Sequence, residues 1–217
     1  SVPMAQGTVV SEGITAVVDS EKCKKCGLCV AICPYKAITL EDKATKVIQA
    51  LCKGCGICAA ECPQNAITMR HFTDEQISSK IEAALMEKPA EKILAFCCNW
   101  CGYAAADLAG VSRFQYASNV RVIRVMCSGR VDPDFIYKAF KMNAGMVLVI
   151  GCELGTCHYI SGNARFQDRI KRIKQKISSM GADPDRFRVE WLSAAHGKRF
   201  SDIINEAAEQ LRHTLES

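Results

Sequence analysis

Fourteen cysteines stand in a chain of 217 residues, and eight of them fall in one repeated rhythm. Cys23-x-x-Cys26-x-x-Cys29-x-x-x-Cys33-Pro34 recurs 29 residues later as Cys52-x-x-Cys55-x-x-Cys58-x-x-x-Cys62-Pro63. Each copy runs on into the same tail, Ala37-Ile38-Thr39 and Ala66-Ile67-Thr68. A duplication this clear marks two copies of one supersecondary unit. Thiolates are soft ligands that suit iron–sulfur clusters. Three of them at i, i+3 and i+6 wrap a tight loop around one cubane. The fourth, ahead of proline, starts a helix that leads away. Gly27, Gly54 and Gly56 let the backbone turn close to the sulfides and offer N–H groups to sulfur. Zinc ligands come as two separated pairs, and disulfide frameworks belong to oxidising compartments, so both fit this run poorly.

Residues 14–69 resemble bacterial two-cluster ferredoxin domains. In that family the fourth cysteine of each run ligates the other cluster. The resemblance implies two [4Fe–4S] clusters, one on Cys23, Cys26, Cys29 and Cys62, the other on Cys52, Cys55, Cys58 and Cys33.

Six cysteines remain, and the elements that carry them are legible. Short β-prone runs flank the duplicated loops: Ile14 to Val18, Ala37 to Leu40, Lys46 to Gln49 and Ala66 to Met69. Thr73 and Gln76 form a capping box ahead of a helix striped by Ile77, Ile81 and Leu85. Pro89, within the charged stretch 86–92, marks a boundary between domains 1–88 and 89–217. Beyond it the pattern alternates strand and helix. Strands are expected at 93–97, 120–126, 146–150 and 187–192. Asp132-Pro133 starts a helix, residues 162–180 form another that Gly181 stops, and Phe200 to Leu211 stripe a last one. Apolar strands alternating with helices predict a parallel sheet covered on both faces. The expected fold is thus an α+β ferredoxin domain followed by an α/β domain with a four-stranded parallel sheet.

In an open parallel sheet, ligands bind beyond the carboxyl ends of the strands. Cys97, Cys98 and Cys101 end or follow the first strand, Cys127 the second, Cys152 and Cys157 the third. All six reach that edge, so they are expected to converge. Cys98 and Cys101 can grip one iron, and Cys127 with Cys152 or Cys157 the other, a two-plus-two supply that fits a [2Fe–2S] cluster. Cys97 reads better as a small buried hydrophobe. A zinc site and a redox C-x-x-C disulfide remain open for this domain alone.

The segments Phe96-Cys-Cys-Asn-Trp-Cys-Gly-Tyr103, Ala106-Asp107-Leu-Ala-Gly110, Arg121 to Arg130, Gly151-Cys152, Cys157-His158-Tyr159 and Gly162-Asn163 resemble the delta subunit of methyl-viologen-reducing hydrogenase. The likeness spans residues 92 to about 212. It implies a [2Fe–2S] cluster and electron transfer between a hydrogenase, or formate dehydrogenase, and heterodisulfide reductase. The ferredoxin part, with His71 to Ile77 behind it, resembles the C-terminal end of the heterodisulfide reductase A subunit. Glu153-Leu-Gly-Thr156 departs from the family's usual His-x-Gly-Asp, which leaves Cys152 and Cys157 both as candidates. The chain lacks G-x-G-x-x-G, so no flavin is expected within it.

Other features narrow the reading. Hydrophobic residues at 49% and charged residues at 24% exclude wholesale disorder. The start, SVPMAQGTVV, shows neither the charged n-region nor the apolar h-region of a signal peptide, and lacks an initiating Met, as a trimmed chain or a fragment would. No apolar run approaches a membrane span, so a cytoplasmic protein is expected. The net charge of +5 lies entirely in residues 89–217. Residues 165–176 hold Arg165, Arg169, Lys171, Arg172, Lys174 and Lys176 against Asp168 alone, a solvated face or a dock for an acidic partner. No aromatic platform accompanies it, so no nucleic acid is expected. Trp100 is placed to shield the cluster from water. His158 and His196 read as structural, though both reach the same edge.

The expected role is an iron–sulfur electron-transfer module of an oxidoreductase complex, with no catalytic site of its own. It would relay electrons toward the flavin of an electron-bifurcating, heterodisulfide reductase-type assembly. Two alternatives stand: a ferredoxin-linked disulfide reductase using Cys98 and Cys101, and a zinc-stabilised interaction domain attached to a ferredoxin.

Overall fold

A computed structural model describes residues 13–216. The start of the chain, through residue 12, lies outside them. The duplicated segment builds two short antiparallel pairs. Strand β1 (Ala16–Val18) pairs with β4 (Ile67–Met69), and β2 (Ile38–Leu40) with β3 (Thr45–Val47). Between them lie the short helices α1 (Leu28–Ile32) and α2 (Ile57–Ala60), which end just before Cys33 and Cys62 instead of starting there as expected, because the prolines that follow lead into turns and strands. The duplication is visible in the backbone. Gly27 and Gly56 cap the two helices at φ 76° and 79°. Lys36 and Asn65, again 29 apart, share a left-handed conformation. So do Lys25 and Gly54, but a side chain on Gly54 would meet the Ile14 backbone, whereas Lys25 is exposed.

Helix α3 (Asp74–Leu85) starts on the complete Thr73–Gln76 capping box. The remaining chain forms a parallel sheet of β5 (Ile93–Cys98), β6 (Val120–Val125), β7 (Met146–Cys152) and β8 (Phe187–Leu192), in the order β6-β5-β7-β8. Helices α4 (Gly102–Val111), α5 (Pro133–Lys141), α6 (Gly162–Ser179) and α7 (Gly197–Glu216) cover both faces. Ala95 and Cys97 face Ala105, Phe200 and Ile203 of α4 and α7. Leu94 and Phe96 face Phe135, Phe166 and Ile173 of α5 and α6. The apolar stripe of α3, Ile77, Ile81 and Leu85, packs into that second layer. A helix that follows the ferredoxin segment in sequence thus belongs by packing to the sheet.

Two arginines tie the halves together. Arg169, expected on the solvated basic face of α6, instead turns inward and is 3% exposed. It donates to the Gly129 and Val131 carbonyls and pairs with Glu61 beside Cys62. Arg130 is 1% exposed and pairs with Asp74 at the start of α3. No helix among the described residues is long and apolar enough to cross a membrane.

Candidate metal centres

The ferredoxin segment holds two small cavities of equal size, each about 20 Å³. Cys23, Cys26, Cys29 and Cys62 line the first. Cys33, Cys52, Cys55 and Cys58 line the second. Each therefore takes three cysteines from one copy of the motif and one from the other. The loop supplies N–H donors as well. The Ala37 N–H donates to Cys33 Sγ at 3.4 Å, and its repeat, the Ala66 N–H, donates to Cys62 Sγ at 3.3 Å. Thr45, which sequence reading overlooked, lies buried on β3 with its hydroxyl 3.8 Å from Cys23 Sγ and 3.7 Å from Cys29 Sγ. Nothing in the local pattern marks it, because it arrives from the hairpin between the copies.

The cavities differ in their surroundings. Cys26, Lys24 and Lys25 are exposed at the first. Cys55 and Cys58 are buried at the second. Burial, reinforced by the neighbouring Cys33 and Cys52 sulfurs, pushes the Cys55 thiol up to about 11, and burial with Cys55 and Cys52 pushes Cys58 higher still. Four sulfurs so crowded cannot all ionise unless a cation sits among them. Soft anionic donors around a shared space are what a cationic iron–sulfur core requires, so these residues fit the group.

In the second half, strand order does the gathering. The chain runs from β5 out to β6, then crosses back to β7 on the other side of β5. Neighbouring connections therefore leave in opposite directions at β5 and β7, which opens a crevice beyond their carboxyl ends. Cys98 ends β5 and Cys152 ends β7, and their sulfurs lie 3.7 Å apart. Cys127 follows β6, and its sulfur lies 3.9 Å from that of Cys157. Two thiolates on one tetrahedral metal, with bonds of about 2.3 Å, stand roughly 3.8 Å apart. Both pairs meet that spacing. The closest partners are therefore Cys98 with Cys152 and Cys127 with Cys157, rather than Cys98 with Cys101. Cys101 completes a nest of five, with its sulfur interacting with that of Cys152. Cys97 points to the opposite face, fully buried in the α4–α7 layer.

The sulfur–sulfur contacts couple the charges of the nest. Cys98 is drawn down by its contact with Cys152 and by the N–H groups of Gly102, Cys101 and Trp100. Contact with Cys127 and Cys152 lowers Cys157 in the same way. Cys127 and Cys152 are raised, chiefly by those same contacts and by burial. This too is a site built for positive charge.

The walls of the nest are close. Gly162 opens α6 directly over Cys127, where a Cβ would collide with Sγ and lie 3.4 Å from Cys157 Sγ. Asn163, buried, donates to the carbonyls of Cys152 and Glu153 and so fixes the loop between the two thiols. Both residues stood in the sequence only as part of a resemblance, with no role assigned. Trp100, 40% exposed, stacks on His158 at 3.6 Å between centroids and meets Tyr159 edge-on. His196 accepts a hydrogen bond from the Ser193 N–H, which shapes its own loop.

The two sets of sulfurs are neighbours. Ile57, Cys55 and Cys58 share one apolar cluster with Met126, Cys127 and Tyr159, against which Cys33, Cys157 and Tyr35 pack. Burial, then the adjacent Cys55, Tyr159, Cys157 and Cys127, raises the Tyr35 hydroxyl to about 12.

Comparison with known proteins follows this division. Residues 16–69 match a 4Fe-4S dicluster domain, and residues 93–214 match the methyl-viologen-reducing hydrogenase, delta subunit, family. The chain is 48% identical over 209 residues to the A subunit of the ferredoxin/F(420)H(2)-dependent CoB-CoM heterodisulfide reductase of Methanosarcina acetivorans, covering 96% of this chain and 26% of that protein. It is 46% identical over the same length to the A subunit of the ferredoxin:CoB-CoM heterodisulfide reductase of Methanosarcina mazei, with the same shares covered. It thus spans about a quarter of the length of these relatives. Its second half is 45% identical over 121 residues to the vhc iron-sulfur D subunit of the F420-non-reducing hydrogenase of Methanococcus voltae, covering 56% of this chain and 84% of that one. With the thiol nest inside the matched span, the chain belongs to the methyl-viologen-reducing hydrogenase delta subunit family, preceded by a 4Fe-4S dicluster domain.

Proposed function

We propose that this chain is an electron-transfer module with three redox centres. Cys23, Cys26, Cys29 and Cys62 would hold one [4Fe–4S] cluster, and Cys33, Cys52, Cys55 and Cys58 a second. The nest of Cys98, Cys101, Cys127, Cys152 and Cys157 would supply the ligands of a [2Fe–2S] cluster. The two close pairs, Cys98 with Cys152 and Cys127 with Cys157, are its favoured ligand set. When bound, such clusters exchange single electrons without bond making. The protein's part is to hold the sulfurs, aim N–H groups at them and keep water from the nest with Trp100 and Tyr159. Residues 1–88 and 89–217 act as one body through Arg130 and Arg169.

The observation that carries this reading is the shared apolar cluster. It sets the second ferredoxin cavity against the thiol nest, with Tyr35 and Tyr159 packed into the same cluster and feeling the sulfurs of both. Redox centres exchange electrons only when close, and a zinc-stabilised interaction domain has no need of that juxtaposition. By the family resemblance seen in the sequence, the partners would be a hydrogenase or formate dehydrogenase on one side. On the other would stand the flavin of a heterodisulfide reductase-type complex in the cytoplasm. Iron, zinc and acid-labile sulfide on anaerobically purified protein test the reading. About ten irons per chain are expected. About eight irons with one zinc, or about eight with a titratable dithiol, would overturn it.

A further inference from the structure

Arg130 occupies an unusual position for a guanidinium. It ends the short turn after Cys127, and its stem lies on the backbone of Gly56, between Cys55 and Cys58. A Cβ on Gly56 would stand 2.9 Å from Arg130 Cγ and 3.1 Å from its Cβ, and would collide with Cδ. The head lies 5.2 Å from the Phe135 ring centroid. Its Nη2 donates to the Phe72 carbonyl at 3.2 Å and pairs with Asp74. Asp74 is itself 40% exposed. Nε and Nη1 are buried with no hydrogen-bond partner among the described residues.

Arg169 sets the contrast. It is equally buried, yet its Nε, Nη1 and Nη2 all donate to carbonyls and it pairs with Glu61. Its geometry explains its burial as a latch. Arg130 is under-satisfied, and a buried charge with one half-solvated partner is strongly unfavourable unless further negative charge lies nearby. Asp132 and Glu75 add negative charge near the guanidinium, and on the far side of Gly56, against its stem, lies the cavity lined by Cys33, Cys52, Cys55 and Cys58.

We propose that Arg130 is a positioning residue for redox potential: a fixed buried cation that raises the potential of the group held by those four cysteines. The proposal rests on the reading that this cavity holds a [4Fe–4S] cluster. A four-iron cluster on four thiolates is an anion, and reduction by one electron makes it more negative. A cation held in low dielectric beside it favours the reduced form. No proton moves, since the guanidinium stays charged. At the other cavity Lys24 and Lys25 are exposed and screened by water, and the buried Arg169 near Cys62 is neutralised by its pair Glu61, so the effect falls on one cluster. The second cluster becomes the better acceptor of the two, at the position next to the nest.

The test is a redox titration of the holoprotein followed by electron paramagnetic resonance, with dithionite as reductant, on Arg130→Gln, Arg130→Lys and Asp74→Asn. The relevant [4Fe–4S] signal is the one lost or converted in Cys33→Ser. Arg130→Gln is expected to lower its midpoint potential and leave the other unmoved, and Arg130→Lys to restore most of the shift. Asp74→Asn, which strips the guanidinium of its carboxylate, is expected to raise the same potential. It carries the test alone if the glutamine variant fails to fold. Unmoved potentials in the glutamine and asparagine variants would overturn the proposal, as would equal shifts of both clusters or a lysine variant that behaves like glutamine. A wild-type protein without two [4Fe–4S] signals would instead overturn the underlying reading.

Discussion

Gly162→Ala changes one hydrogen into a methyl group at the first residue of α6. In an ordinary helix this stabilises, by about 1 kcal/mol, because alanine loses less backbone entropy. Here the new carbon collides with Cys127 Sγ and comes within 3.4 Å of Cys157 Sγ. Non-bonded heavy atoms settle at about 3.5–4.0 Å, so relief requires Cys127 Sγ to move by more than about 1 Å. Metal–thiolate bonds hold their length to about 0.2 Å. The displacement is several times that tolerance, and the backbone on either side cannot share it. Gly129, two residues after Cys127, already touches Gly162 so closely that a Cβ there would lie 2.9 Å from the Gly162 Cα. The variant is therefore expected to fold, keep the iron of both ferredoxin cavities and lose the centre in the nest. Iron should fall from about ten to about eight per chain, with the [2Fe–2S] signal gone and both [4Fe–4S] signals intact. Full iron content with an unchanged [2Fe–2S] spectrum would refute the placement of the cluster between Cys127 and Cys157.

Four further variants have expected outcomes. Cys33→Ser should damage the cluster bound by Cys52, Cys55 and Cys58, seen as loss or conversion to a three-iron form; damage confined to the other cluster would refute the crossed ligation. Cys97→Ala should leave every metal signal in place and cost about 1 kcal/mol in denaturant unfolding, the price of a methyl-sized void, whereas Cys127→Ser should abolish the nest signal. Asn163→Ala leaves the Cys152 and Glu153 carbonyls without their donor, so stability should drop by about 1–3 kcal/mol. The nest iron should then be released faster to a chelator; an unchanged release rate would show that Asn163 does not fix the ligand loop.

Much of this protein is legible in local pattern. The ferredoxin loops can be read because their ligands lie three residues apart and the pattern occurs twice, so spacing alone encodes the geometry. Strands β5 to β8 and helices α5 to α7 follow from apolar periodicity and from punctuation at Asp132-Pro133 and Gly181. The convergence of Cys98, Cys101, Cys127, Cys152 and Cys157 follows from their positions at strand ends. What sequence could not show depends on residues distant along the chain. The order β6-β5-β7-β8 makes Cys152, not Cys101, the close partner of Cys98, and periodicity carries no information about which strands are neighbours. The stripe of α3 shows that one face is buried but not against what, and the sheet claims it. Arg169 reads as one more charge on a basic helix until the turn at Gly129 supplies carbonyls for it. Gly162 and Gly56 read as flexible residues until Cys127 and Arg130 arrive against them. In each case the deciding quantity is a close approach between segments 30 to 75 residues apart, and packing of that kind exists only once the whole chain has folded.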